Sequence, residues 1–111
     1  IAPTSSDDRL LKVSENSGGF VYAVSRAGVT GTRSDVSSAA ETLVGRMRHF
    51  TKLPVAVGFG ISNHEQVADT WRYADAAVVG SAIVARVEEL GGSTDLVSEI
   101  GAFCRQLLSE V

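Results

Sequence analysis

Cysteine is all but missing from this sequence: Cys104 stands alone, so no disulfide framework can hold the fold. Proline occurs only twice, and charged residues make up 21% of the chain against 44% hydrophobic ones. That balance excludes an intrinsically disordered chain and fits an ordinary globular one. No apolar run approaches the ~20 residues that span a bilayer, and no signal-peptide pattern opens the chain. No membrane segment is therefore expected, and the cytoplasm is the default compartment. Basic residues are scattered and the net charge is −3, which gives no footing for nucleic acid. His49 and His64 have no partner at metal or triad spacing, and no metal site is expected. A start methionine is also lacking. The chain begins Ile1-Ala2-Pro3-Thr4, which reads as the end of a strand already under way and so as a segment of a longer protein.

What is present is a regular alternation within 111 residues, enough for one core but not for two. Ser5 and Asp8 form a capping-box pattern that opens a helix, with Asp7 and Asp8 in its first turn and Asn16-Ser17-Gly18-Gly19 at its end. Phe20–Ser25 is aromatic, β-branched and free of charge, as expected of a strand covered on both faces. About ten Gly-, Ser- and Thr-rich residues follow, from Arg26 to Asp35. That is long for a βα loop, where ~2–6 residues are usual, and marks a candidate active-site loop. Val36, Ala39, Ala40, Leu43, Val44 and Met47 then recur at helical spacing. Arg46, Arg48 and Lys52 near the end of that helix read as a solvated face.

Pro54 opens a second strand, Val55-Ala56-Val57, which runs into Gly58-Phe59-Gly60. Ser62 with Glu65 reads as a capping box for the next helix, whose Val67, Ala68 and Trp71 point inward. Glycine lets backbone approach a ligand, and a helix N-terminus offers free N–H groups, so this turn is a candidate phosphate cradle. The motif repeats: Asp75–Val79 is a strand, Gly80-Ser81 a turn with Ser81 as cap, and Ile83–Leu90 a short helix. Gly91-Gly92 break the chain, and Ser93 or Thr94 caps a last helix with Leu96, Val97, Ile100, Phe103, Cys104, Leu107 and Leu108 on its apolar face.

Strict alternation of strand and helix implies a parallel sheet, either open and doubly wound or part of a (β/α)8 barrel. Phosphate sites of such barrels often combine the loops after strands 7 and 8 with a short extra helix. Gly58–Ser62, Gly80-Ser81 and the short helix supply those parts in that order. The fold class is thus α/β, the C-terminal half of a (β/α)8 TIM barrel. Residues 1–111 form one segment from the end of strand 5 to the final helix, without the N-terminal half.

Tyr22-Ala23-Val24-Ser25-Arg26-Ala27-Gly28-Val29-Thr30-Gly31, then Pro54–Ser62, then Val79-Gly80-Ser81-Ala82-Ile83-Val84, resemble the tryptophan synthase alpha subunit family. The resemblance runs nearly the whole length of the chain, about 45% of the ~250 residues typical of the fold. It implies retro-aldol cleavage of indole-3-glycerol phosphate to indole and glyceraldehyde 3-phosphate in tryptophan biosynthesis, a lyase activity. Indole would pass to a pyridoxal-phosphate beta subunit, and no cofactor is implied for this chain. Carried over by position, Gly31, Gly60, Gly80 and Ser81 would hold the phosphate. Tyr22 and Phe59 would line the indole pocket, Thr30 would orient the catalytic carboxylate, and Arg26 would anchor the loop. The family's catalytic Glu and Asp lie in the first half of the barrel, so no catalytic residue is expected here, and the segment alone should be inactive. Two other readings are a different phosphate-binding barrel enzyme and a non-catalytic half-barrel binding module. Open sheet edges would favour self-association or union with the missing N-terminal half.

Overall fold

The computed structural model describes residues 1–24 and 33–108, with the side chains of residues 33–37 left aside. The order is α1 (Asp7–Asn16), β1 (Val21–Val24), α2 (Arg33–Met47), β2 (Val55–Gly58), α3 (His64–Trp71), β3 (Ala76–Ala77), α4 (Ser81–Glu89) and α5 (Leu96–Leu108). The three strands pair in parallel in the order β1-β2-β3, with Tyr22 beside Ala56 and Ala56 beside Ala76. Consecutive parallel neighbours joined by helices are what the sequence alternation demanded. Ile1 extends the sheet on the β1 side. Its amino group donates to Tyr22 O at 2.8 Å, and Val24 N–H donates to Ile1 O at 2.9 Å.

The core lies on the face that α1 and α2 cover. Leu10 of α1 and Ala40, Leu43, Val44 and Met47 of α2 pack against Val21 and Ala23 of β1 and Val55 and Val57 of β2. All three apolar residues of β2 are buried, as in a sheet with helices over it. Ile61, Val67 and Leu107 form a second cluster that joins α3 to α5.

Several local expectations shift. Ser6 caps α1, accepting from Arg9 N–H at 3.2 Å, while Ser5 Oγ accepts from Ala2 N–H instead. Asn63 caps α3 through Gln66 N–H, displacing the Ser62–Glu65 pair by one residue. Ser81 is the first residue of α4 and not its cap. α5 begins after Asp95, whose carbonyl accepts from Glu99 N–H, and not at Ser93 or Thr94. Phe20 stands outside β1 and is 57% exposed.

Packing also differs. Trp71 is 45% exposed, since only Val67 and Thr70 of the short α3 are buried. On α5, Leu107 is buried but Val97 is 85% exposed, and Cys104 is only half-buried. Arg46 and Arg48 are ties, not a solvated face. Arg46 donates to Ser5 O at 2.6 Å and to Asp7 at 2.9 Å, holding α1 on α2. Arg48 reaches Tyr73 O and Asp75. No helix among the described residues is long and apolar enough to cross a membrane.

Candidate anion-binding site

A cavity of about 370 Å³ opens at the C-terminal ends of the strands, lined by Tyr22, Gly58, Gly60, Ile61, Ser62, Val78, Gly80, Ser81 and Ala82. Its size falls within the ~300–1,000 Å³ of small-molecule sites, and its position is where parallel α/β sheets bind ligands. Three successive elements build it.

β1 supplies Tyr22, which is 44% exposed. Its ring lies over the end of β2: a Cβ on Gly58 would sit 2.7 Å from Tyr22 Oη and 3.0 Å from Cε1. Glycine at 58 is what lets this aromatic wall stand. After β2 the chain turns through Gly60, whose φ of +67° is left-handed and favours glycine. Beyond β3, Gly80 precedes α4.

The two helix starts around the cavity differ. α3 is closed by its own residues, with Asn63 Oδ1 accepting from Gln66 N–H at 2.9 Å. The Ser62 N–H and hydroxyl are likewise taken up, by Gln66 Oε1. α4 has no side-chain cap at Gly80 and no acidic residue in its first turn. The helix's first intrahelical donors are Ile83 and Val84, both to Gly80 O. The N–H groups of Ser81 and Ala82 precede them in the ladder and sit on cavity-lining residues. An uncapped helix start carries a partial positive charge suited to an anion. Among the described residues the lining holds neither carboxylate nor cation. Backbone donors and hydroxyls are therefore what it offers a charged ligand, with Tyr22, Ile61 and Val78 as apolar wall. Among the described residues no group of three or more His, Cys, Asp or Glu side chains could hold a metal ion.

Of the residues singled out in the sequence, Tyr22, Gly60, Gly80 and Ser81 come together at this cavity. Phe59 does not line it: the side chain is 8% exposed and belongs to the main core. A residue beside two glycines still follows strand alternation, and at 59 that alternation points toward the helices. Thr30, Gly31 and Arg26 lie outside the described residues. Ile61, Val78 and Ala82 complete the lining without having been expected. Ile61 and Val78 carry no polar signal, and Ala82 contributes only backbone. His64 Nδ1 is 2.9 Å from Leu107 O, a structural tie between α3 and α5.

The whole of residues 1–110 matches the family model described as "Tryptophan synthase alpha chain". The chain is 45% identical over 112 aligned residues to the tryptophan synthase alpha chain of Synechocystis sp., covering 100% of this chain and 42% of that one. Against the alpha chain of Leifsonia xyli subsp. xyli it is 51% identical over 90 residues, 81% of this chain and 34% of that one. Among solved structures, a mutant tryptophan synthase alpha-subunit from the hyperthermophile Pyrococcus furiosus superposes with a TM-score of 0.81 at 33% identity. That superposition covers 97% of this chain and 42% of that one. Tryptophan synthase from Mycobacterium tuberculosis gives 0.75 at 41% identity, covering 96% and 40%. The chain thus spans about two-fifths of the length of the first of these relatives.

Proposed function

The chain belongs to the tryptophan synthase alpha chain family, and from that premise we propose that it is the substrate-gripping part of a lyase that splits indole-3-glycerol phosphate into indole and glyceraldehyde 3-phosphate. The observation that carries the reading is the uncapped start of α4 on a cavity whose described lining has no carboxylate, at the C-terminal end of a parallel sheet. A phosphate dianion needs several convergent donors, and the N–H groups of Gly80, Ser81 and Ala82 with the Ser81 hydroxyl supply them at one helix start. Gly60 adds backbone from the opposite turn, and by the family resemblance Gly31, outside the described residues, would add another donor. Tyr22, the exposed aromatic of the lining, stacks with the indole ring, because flat apolar surface suits a flat apolar ligand. By the family resemblance Thr30 would orient the catalytic carboxylate and Arg26 would support it, both outside the described residues.

Retro-aldol cleavage needs an acid to protonate the indole ring and a base to take a hydroxyl proton. Among the described residues no cavity-lining residue is a carboxylate or histidine. Those groups come from the remaining part of the barrel, and indole released there passes to a beta subunit. The whole protein works in the cytoplasm. The test is a pair of measurements on the isolated chain. Titration with indole-3-glycerol phosphate is expected to perturb the amides of Gly60, Gly80 and Ser81, while indole release stays at buffer level. Turnover above buffer would overturn the division of labour, and absence of binding would overturn the site.

A further inference from the structure

The turn between β2 and α3 is tied down from outside the cavity. Gln66 Oε1 accepts from Ser62 N–H at 2.7 Å and from the Ser62 hydroxyl at 3.1 Å. Gln66 N–H donates to Asn63 Oδ1 at 2.9 Å, so one residue grips the turn with both its backbone and its side chain. Ser62 lines the cavity; Gln66 does not. In the usual reciprocal cap the third helical residue reaches back to the N–H of the capping residue. Here it reaches one residue further, to Ser62, and so holds the cavity wall itself.

Two consequences follow from the chemistry of the amide. Both Ser62 donors are engaged on the helix side, which ties the turn that follows Gly60 to α3 and leaves Gly60 and the start of α4 to the anion. The clamp is also neutral. Glutamate, the other residue common at that position of a capping box, would make the same hydrogen bonds but set a negative charge behind the wall of an anion site. From this we infer that Gln66 is a positioning residue of the anion site, acting through Ser62 and required to be uncharged. The inference rests on the phosphate reading of the cavity.

Titration of this chain with inorganic phosphate, read by the amide shifts of Gly60, Gly80 and Ser81, tests it beside thermal melts of each variant. Gln66→Ala is expected to raise the phosphate Kd roughly three- to tenfold, the scale of one or two lost hydrogen bonds. Gln66→Glu keeps both acceptor contacts and is expected to keep the parent Tm, yet to weaken phosphate binding at least as much. A residue that merely capped the helix would leave phosphate affinity intact in Gln66→Glu, and that result overturns the inference even where Gln66→Ala fails to fold. Parent-like affinity in a folded Gln66→Ala overturns it too. If the parent chain binds no phosphate, the cavity reading itself falls and takes this inference with it.

Discussion

Asp75 shows what single residues contribute away from the site. Its carboxylate accepts from Val55 N–H at 2.9 Å and pairs with Arg48 at 3.2 Å, while its own N–H donates to Val55 O. The Val55 hydrogen bond first, and then Arg48, hold the carboxyl below its ordinary range. A depressed folded pKa contributes stability above the unfolded value, ~3.9, that is lost as pH falls through the folded one. The carboxylate is 45% exposed, so solvent weakens the Arg48 pair, and the buried Val55 N–H matters more. Asp75→Ala strands that donor and is expected to cost about 1–2 kcal/mol by urea unfolding at neutral pH. Asp75→Asn retains an acceptor and is expected to flatten the fall of Tm between about pH 5 and 3. An unchanged slope would show that the acid limb arises elsewhere. None of this was legible in the sequence, where Asp75 was only a strand-opening acid and Arg48 part of a basic cluster. Long-range partners have no local pattern. Phe59 and Trp71 teach the same lesson in reverse: one aromatic expected at the pocket is in the core, and one expected in the core is exposed.

At the scale of elements the sequence was more readable, because periodicity and glycine turns act locally. Most helices and the first two strands stand where alternation placed them within a residue or two, but α2 begins at Arg33, three residues before the expected Val36 and inside the stretch read as loop. The caps of the helices are less readable, and α3 shows why. Ser62-x-x-Glu65 and Asn63-x-x-Gln66 are overlapping capping boxes, and local pattern cannot rank them. Tertiary contacts decide: starting the helix at His64 lets its ring meet Leu107 O and puts Val67 into the cluster with Ile61 and Leu107. Asn63→Ala is therefore expected to lower stability by about 1 kcal/mol, while Ser62→Ala, which removes one exposed hydroxyl contact, costs well under that. Thermal melts of the two variants side by side check the order. A larger loss at Ser62 would restore the earlier box. The site followed the same division: the glycine turns could be read from sequence, but the contrast between a closed α3 and an open α4 required the hydrogen bonds.

For the molecule as a whole, the sheet explains both the likeness to larger relatives and the behaviour expected of this chain. β2 sits between two neighbours, β1 is flanked by β2 and Ile1, and β3 pairs with β2 alone among the described residues. The outer edge of β3 thus presents unpaired backbone, a template for another strand. On the sheet face opposite α1 and α2, Tyr22 and Ala76 are exposed. Further apolar surface lies bare on the helices at Trp71, Val84 and Val97. In a closed barrel the edge would be paired and that sheet face would fill the interior. Relatives more than twice as long as this chain have the residues to do so. The isolated chain is expected to meet the same need by association, and sedimentation at micromolar concentration should then show dimers or larger species. Adding the complementary N-terminal segment of a full-length relative is expected to replace them with a one-to-one complex, because one edge cannot serve two partners. A monodisperse monomer unchanged by that addition would mean that the β3 edge and its adjoining face are stable in water as they stand.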